Sequence, residues 1–194
     1  GKTAIAILAL TKIVENGYQG ALMAPTEVLA AQHFKTFQQV FKGMPVKTAY
    51  LSGHTKAAER KEILEQLKDG SIHILIGTHA LIEENVVFSA LGLVITDEQH
   101  RFGVKQRQAL ESKGKSPHVL IMTATPIPRT MALSVYGDLD VSFIKGMPPG
   151  RHPVKTYVVG SHMLQRIFRF MKKEMESGHQ AYVVCPLVEQ SEKQ

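Results

Sequence analysis

Apolar strand-like runs and helical stretches alternate along this chain with hardly a break. Residues 4–15 read as a helix, closed by Asn16-Gly17 at the place where glycine commonly ends one. Residues 20–24 form a short apolar strand that Pro25 stops. From Glu27 the period changes: Ala30, Phe34, Phe37 and Phe41 recur at helical spacing and define one buried face. Residues 46–51 read as a strand. Residues 56–68 read as a helix with Ile63, Leu64 and Leu67 inward and Gly70 after its end. The runs at 72–76, 91–95 and 119–122 are short, apolar and rich in β-branched residues. Strands buried on both faces of a parallel sheet have this composition, and helices between them supply the crossovers. The expected fold class is α/β, with a doubly wound parallel sheet flanked by helices.

The pattern breaks in the turn-rich stretch Met147-Pro148-Pro149-Gly150. The expected division is a first domain over 1–147 and a linker with the start of a second over 148–194. In the second segment, residues 154–159 and 181–185 read as strands around a helix at about 163–177. One βαβ unit of this size is too little to bury a core by itself.

Composition narrows the setting. Hydrophobic residues make up 44% of the 194, enough for a packed core. No apolar run reaches the roughly 18–20 residues of a membrane span, and no secretory leader is visible. One cysteine, Cys185, excludes an intramolecular disulfide framework and suits a reducing compartment, so the expected location is cytoplasmic. Lys and Arg outnumber Asp and Glu by 23 to 17, a net charge of +6. A surplus of that size favours a polyanionic partner without identifying it, because the charges are scattered rather than blocked.

Three short segments carry candidate chemistry. Gly1-Lys2-Thr3 runs directly into an apolar helix, as the end of a phosphate-binding loop does. In that role Lys2 reaches the phosphates and the Thr3 hydroxyl ligates Mg2+. Three residues recur by chance, and a plain chain terminus accounts for them equally well. Asp97-Glu98-Gln99-His100 follows the run Leu93-Val94-Ile95-Thr96. Two adjacent acids therefore stand at the C-terminal mouth of a buried strand, where open α/β sheets bind ligands. Their mutual repulsion calls for a cation, with Asp97 as the magnesium carboxylate and Glu98 as the base orienting a water. A solvated acid pair opening a loop is the simpler alternative. Thr123-Ala124-Thr125-Pro126 follows another strand, and Thr125 ahead of Pro126 also suits an ordinary helix cap.

Together these segments resemble the helicases of superfamily 2 over essentially the whole chain. Ala24-Pro25-Thr26-Glu27, with Leu29-Ala30-Ala31-Gln32-His33, resembles the segment after the phosphate loop. Ile76-Gly77-Thr78-His79 resembles the next nucleic-acid-contacting turn, Asp97–His100 the acid box and Thr123-Ala124-Thr125 the coupling motif. Narrower likenesses lie in Arg101-Phe102-Gly103-Val104, in Thr125-Pro126-Ile127-Pro128-Arg129-Thr130 and in Pro148-Pro149-Gly150-Arg151. Ala181-Tyr182-Val183-Val184-Cys185-Pro186-Leu187 adds a further one. These point to the branched-DNA translocases within that superfamily.

The resemblance implies a RecA-like P-loop NTPase domain followed by the start of a second RecA-like domain. It implies an ATP hydrolase using ATP and Mg2+, acting as a DNA helicase in DNA repair and recombination. The nucleotide would be held by Gly1, Lys2, Thr3, Asp97, Glu98 and His100, with Lys2, Asp97 and Glu98 catalytic. DNA would be met by its phosphates at Thr26 and Thr78, with Pro25, Gly77 and His79 shaping the DNA-binding turns, and Thr123 and Thr125 would couple the two sites.

The DNA-gripping wedge domain and the transition-state arginine of such motors lie outside these 194 residues. The fragment alone is thus expected to hydrolyse ATP hardly at all. A motor of the bacterial transcription–repair coupling factor, and a nucleotide-binding module that does not translocate, stay open as alternatives.

Overall fold

In a computed structural model of the chain, the described residues are 1–98, 104–124, 140–144, 146 and 153–185. The chain divides into two compact units, Gly1–Gly146 and Met147–Gln194.

In the first unit, helices and strands alternate: α1 (Lys2–Glu15), β1 (Gln19–Met23), α2 (Glu27–Val40), β2 (Thr48–Leu51) and α3 (Ala57–Lys68). They are followed by β3 (Ile74–Gly77), a 3-10 turn (His79–Ile82), β4 (Leu91–Asp97), α4 (Val104–Glu111) and β5 (His118–Met122). The five strands form one sheet in the order β2-β3-β1-β4-β5, and every neighbouring pair is parallel. This is the doubly wound α/β architecture that the alternation of runs predicts.

Both faces of the sheet are covered, and the side-chain alternation along each strand divides the core in two. Leu22, Ile74, Ile76, Leu93 and Ile95 pack with Ala6 and Leu10 of α1 and with Phe37 of α2 and Phe41 just after it. Ala21, Met23, Leu75 and Val94 pack on the opposite side with Ile63 and Leu67 of α3 and with Leu81, Phe88 and Leu110. A parallel sheet needs apolar residues on both faces, which is why its strands read as unbroken hydrophobic runs. Glycine lets α1 approach this closely: a Cβ on Gly20 would stand 2.0 Å from Leu10 Cδ2.

A buried glutamine ties the strand beginnings together. Gln19, 3% exposed, donates from Nε2 to the carbonyls of Leu67 and Ile72 and accepts at Oε1 from the Ala90 N–H. At the opposite edge the register aligns the strand ends. Leu51 pairs with Gly77, Gly77 with Met23, Met23 with Thr96, and Asp97 with Met122. Every loop that leaves a strand C-terminus therefore emerges along one line.

In the second unit, a 3-10 turn (Ser161–Met163) leads into α5 (Leu164–Glu176), where the periodicity places a helix. The strands expected at 154–159 and 181–185 are not formed. Those stretches carry no ladder, and Val154, Tyr157, Val158 and Val184 are exposed. A strand exists only through hydrogen-bonded neighbours and a covered face, and a pattern of apolar residues supplies neither by itself.

Candidate functional site

The N-terminus of α1 and the C-terminal end of β4 meet at the centre of this edge. Gly1 is the N-cap of α1, gives it no side-chain cap, and the first turn carries no acid. The free N–H groups and positive end of the helix thus receive no anion from the helix's own first turn. Lys2 supplies a cation beside them. Its Nζ donates to Glu98 Oε1 at 2.7 Å and stands 3.5 Å from Asp97 Oδ1. Thr3 lies in the same first turn, partly buried.

Asp97 is the last residue of β4 and is 7% exposed. Its two oxygens serve different elements. Oδ2 pairs with His33 Nε2 of α2 at 2.9 Å, while Oδ1 accepts the Glu98 N–H at 3.1 Å and faces Lys2. Burial pushes this carboxyl up, but the His33 hydrogen bond, the Lys2 charge, the His33 charge and the Glu98 N–H outweigh it. The net effect holds Asp97 below its ordinary value, so it is ionised.

Glu98 takes a left-handed backbone, φ 51°. That is a costly conformation for a non-glycine residue, and such strain concentrates at functional sites. It turns the side chain so that Oε1 receives Lys2 while Oε2 receives the Ala124 N–H at 3.4 Å. Glu98 thereby spans the ends of β4 and β5, next to Thr123. His100 and Thr125, also expected at this site, lie outside the described residues.

The other half of the edge is built by the turns after β1, β2 and β3. Thr26 is the N-cap of α2, and its Oγ1 accepts the Leu29 N–H at 3.3 Å. Pro25 directly precedes this cap and, like it, is partly buried. Gly77 ends β3, where an added Cβ would lie 1.9 Å from the Leu51 carbonyl oxygen. The next residue departs from the expected surface contact. Thr78 is 2% exposed, and its Oγ1 is buried without a hydrogen-bond partner among the described residues. The hydroxyl thus faces the interior, and the exposed group of this turn is His79.

Beside it, Glu27 Oε1 pairs with Nδ1 of the exposed His54 at 2.8 Å. The Glu27 carboxyl is held below its ordinary value by the His54 hydrogen bond first, against a smaller push from burial. The Ser52 hydroxyl and the charges of His54 and His79 add to the lowering. The Glu27 hydrogen bond and charge in turn raise His54.

Lys2, Asp97 and Glu98 therefore meet, and Thr26 and His79 line the same edge. Sequence reasoning placed no weight on His33, the buried partner of Asp97. Its signal was spacing: His33 falls between Ala30 and Phe37 on the inward face of α2, a polar ring at an apolar position.

The family model for DEAD/DEAH box helicases matches residues 1–133. Among curated proteins, the ATP-dependent DNA helicase RecG of Bacillus subtilis is 55% identical over 193 residues. That alignment takes in 100% of this chain and 28% of the relative. The RecG of Aquifex aeolicus is 49% identical over 195 residues, with 100% of this chain and 25% of the relative covered. The chain thus spans about a quarter of the length of these relatives. Among solved structures, RecG bound to a three-way DNA junction superposes with a TM-score of 0.80 at 46% identity. That match covers 97% of this chain and 25% of the other. A Mycobacterium smegmatis helicase Lhr bound to single-stranded DNA and AMP-PNP gives a TM-score of 0.54 over 68% of this chain and 17% of its own, at 15% identity. It shares the fold.

Proposed function

The chain belongs to the DEAD/DEAH box helicase family, and on that premise we propose that it forms the first motor domain of an ATP-driven DNA translocase. The domain takes in 1–147, and 148–194 form the linker and start of a second RecA-like domain. The whole enzyme remodels branched DNA, such as stalled forks and Holliday junctions, in cytoplasmic DNA repair and recombination. Relatives that carry the name of a DNA helicase, at 49–55% identity, support this choice.

One observation carries the reading: Lys2, at a helix start with no side-chain cap, meets Asp97 and Glu98 at the end of a buried strand. The donors gathered here suit a magnesium nucleotide. Asp97 and the neighbouring Glu98 and Thr3 offer only hard oxygen ligands, which Mg2+ prefers, and Lys2 with the α1 N–H groups offers what phosphate oxygens need. Asp97 and Thr3 would hold the metal. Magnesium, when bound, draws charge from the phosphate oxygens.

Lys2 turns from the carboxylates toward the phosphates. Glu98, released from Lys2, orients the attacking water and takes its proton. Because Glu98 also holds the Ala124 N–H, a change at the phosphates reaches the Thr123-Ala124 turn through one side chain. Along the same edge, Thr26 and His79 offer polar groups to DNA phosphates, while Pro25, Gly77 and Thr78 shape the turns that present them.

The test is a pair of measurements on the full-length protein. Glu98→Gln keeps the shape of the side chain and removes the base, so turnover should vanish while nucleotide binding persists. Normal turnover in that variant would remove Glu98 from its role. Adding DNA to the wild type should raise the hydrolysis rate, and a rate indifferent to DNA would point to a nucleotide-binding module that does not translocate.

A further inference from the structure

We propose that His33 is a positioning residue: it fixes the orientation of the Asp97 carboxylate and joins that orientation to helix α2, whose first turn faces DNA. The inference rests on the nucleotide-site reading above and assigns a role to a residue that touches neither ligand.

The two oxygens of Asp97 are shared between elements. Oδ2 is held by His33 Nε2 at 2.9 Å, and Oδ1 is held by the Glu98 N–H at 3.1 Å with Lys2 Nζ 3.5 Å away. With Asp97 ionised, the Nε2–H donates. A carboxylate gripped at both oxygens by groups on different elements has one rotamer available. Turning it would break a bond whose partners are 9% and 10% exposed, where water is poorly placed to substitute. His33 therefore leaves Oδ1 as the oxygen directed at the phosphate side. An outer partner that hydrogen-bonds a metal-binding carboxylate is the usual device for fixing such a ligand.

The second half of the proposal follows from where His33 is attached. It lies seven residues after Thr26 on α2, about 10 Å along the helix axis. Thr26 caps that helix through the Leu29 N–H, so the Pro25-Thr26 turn and the first helical turn form one piece. Ala30 and Phe37 on the same face are fully buried against the sheet. A helix seated in this way moves as a rigid body. A shift imposed on its first turn by DNA arrives at His33 undiminished, and from there at Asp97. The Glu98–Ala124 contact joins the acid box to β5; His33 joins it to α2, independently.

Two variants of similar volume separate the hydrogen bond from packing. His33→Gln places an amide N–H near the position of Nε2, whereas His33→Leu fills the space and donates nothing. In the full-length protein, binding of a fluorescent ADP analogue is followed by anisotropy while Mg2+ is titrated, with and without duplex DNA. H33L should need about tenfold more Mg2+ for half-maximal binding. Its affinity in EDTA should stay that of the wild type, and DNA should no longer alter its Mg2+ requirement. H33Q should restore both behaviours, and equal melting temperatures would show that the fold is intact.

An H33L titration that overlays the wild type overturns the proposal while leaving the nucleotide site in place. A loss in H33L that H33Q does not repair also overturns it, because packing rather than the hydrogen bond would then be the cause. If the wild type itself shows no Mg2+-dependent nucleotide binding, the nucleotide-site reading and this proposal fall together.

Discussion

Lys2 Nζ lies 2.7 Å from Glu98 Oε1, although the two residues are 96 positions apart in the chain. The lysine also faces Asp97, so one cation is shared by two adjacent carboxylates that would otherwise repel each other. Phosphate oxygens compete for that cation. Replacing Lys2 by Met in the full-length protein should weaken nucleotide binding by about tenfold or more, the scale of one charge-assisted hydrogen bond. Competition against a fluorescent nucleotide measures it, and unchanged affinity would show that Lys2 does not reach the phosphates.

Gly77 is confined by backbone rather than by a special dihedral angle. A Cβ there would stand 1.9 Å from the Leu51 carbonyl oxygen and 2.3 Å from Leu81 Cδ1. The Leu81 methyl can turn aside, but the Leu51 carbonyl cannot give way without parting β3 from β2. Gly77→Ala should therefore cost about 3 kcal/mol or more of stability. Gly53→Ala, where a Cβ meets nothing within 4 Å, should stay within about 0.5 kcal/mol of the wild type. Urea unfolding of the two variants side by side checks the contrast. Equal midpoints would mean that the sheet relaxes around the extra methyl.

Gln19 makes three side-chain hydrogen bonds inside the protein. In Gln19→Leu, the Ala90 N–H loses its side-chain acceptor and the Ile72 carbonyl loses its side-chain donor, whereas the Leu67 carbonyl keeps a bond from the Gly70 N–H. Stability should fall by about 2–4 kcal/mol, since each stranded buried group costs about 1–3 kcal/mol. A change below about 0.5 kcal/mol in denaturant unfolding would show that water takes over these bonds.

The exposed pair of His54 and Glu27 has a signature in pH. Glu27 raises the His54 value, so the pairing is complete below the ordinary histidine range. It is lost as pH climbs through the raised folded-state value. In a proton NMR titration, His54 should lose its charge at a higher pH than a free histidine. Glu27→Gln should return it toward the ordinary range. A His54 that titrates identically in both proteins would mean that the 2.8 Å pair does not persist in solution.

Much of this architecture was readable in advance because a parallel sheet demands it. Strands buried on both faces must be apolar throughout, so 72–76 and 91–95 stood out without knowledge of their neighbours, and 119–122 has the same composition although it forms a partly buried edge strand. The acid pair was readable for the same reason, as two charges directly after such a run. The failures have equally physical causes. Residues 154–159 and 181–185 have the composition of strands and form none, since composition records what a segment tolerates and pairing depends on a neighbour. The Thr78 hydroxyl, expected to meet phosphate, is buried in a turn closed by the Leu81 N–H on the Thr78 carbonyl.

The order of strands and helices in the first unit, the break in pattern near Met147, and the presence of lysine, acids and threonines at strand and helix ends were properties of the linear chain. They follow from local periodicity and turn chemistry, which need no partner. The meeting of Lys2 with Glu98, the grip of His33 on Asp97 and the burial of the Thr78 hydroxyl were decided only in three dimensions. Each depends on strand register and on which face of the sheet a helix covers. Those are relations between segments tens of residues apart, and no local pattern along the chain encodes them.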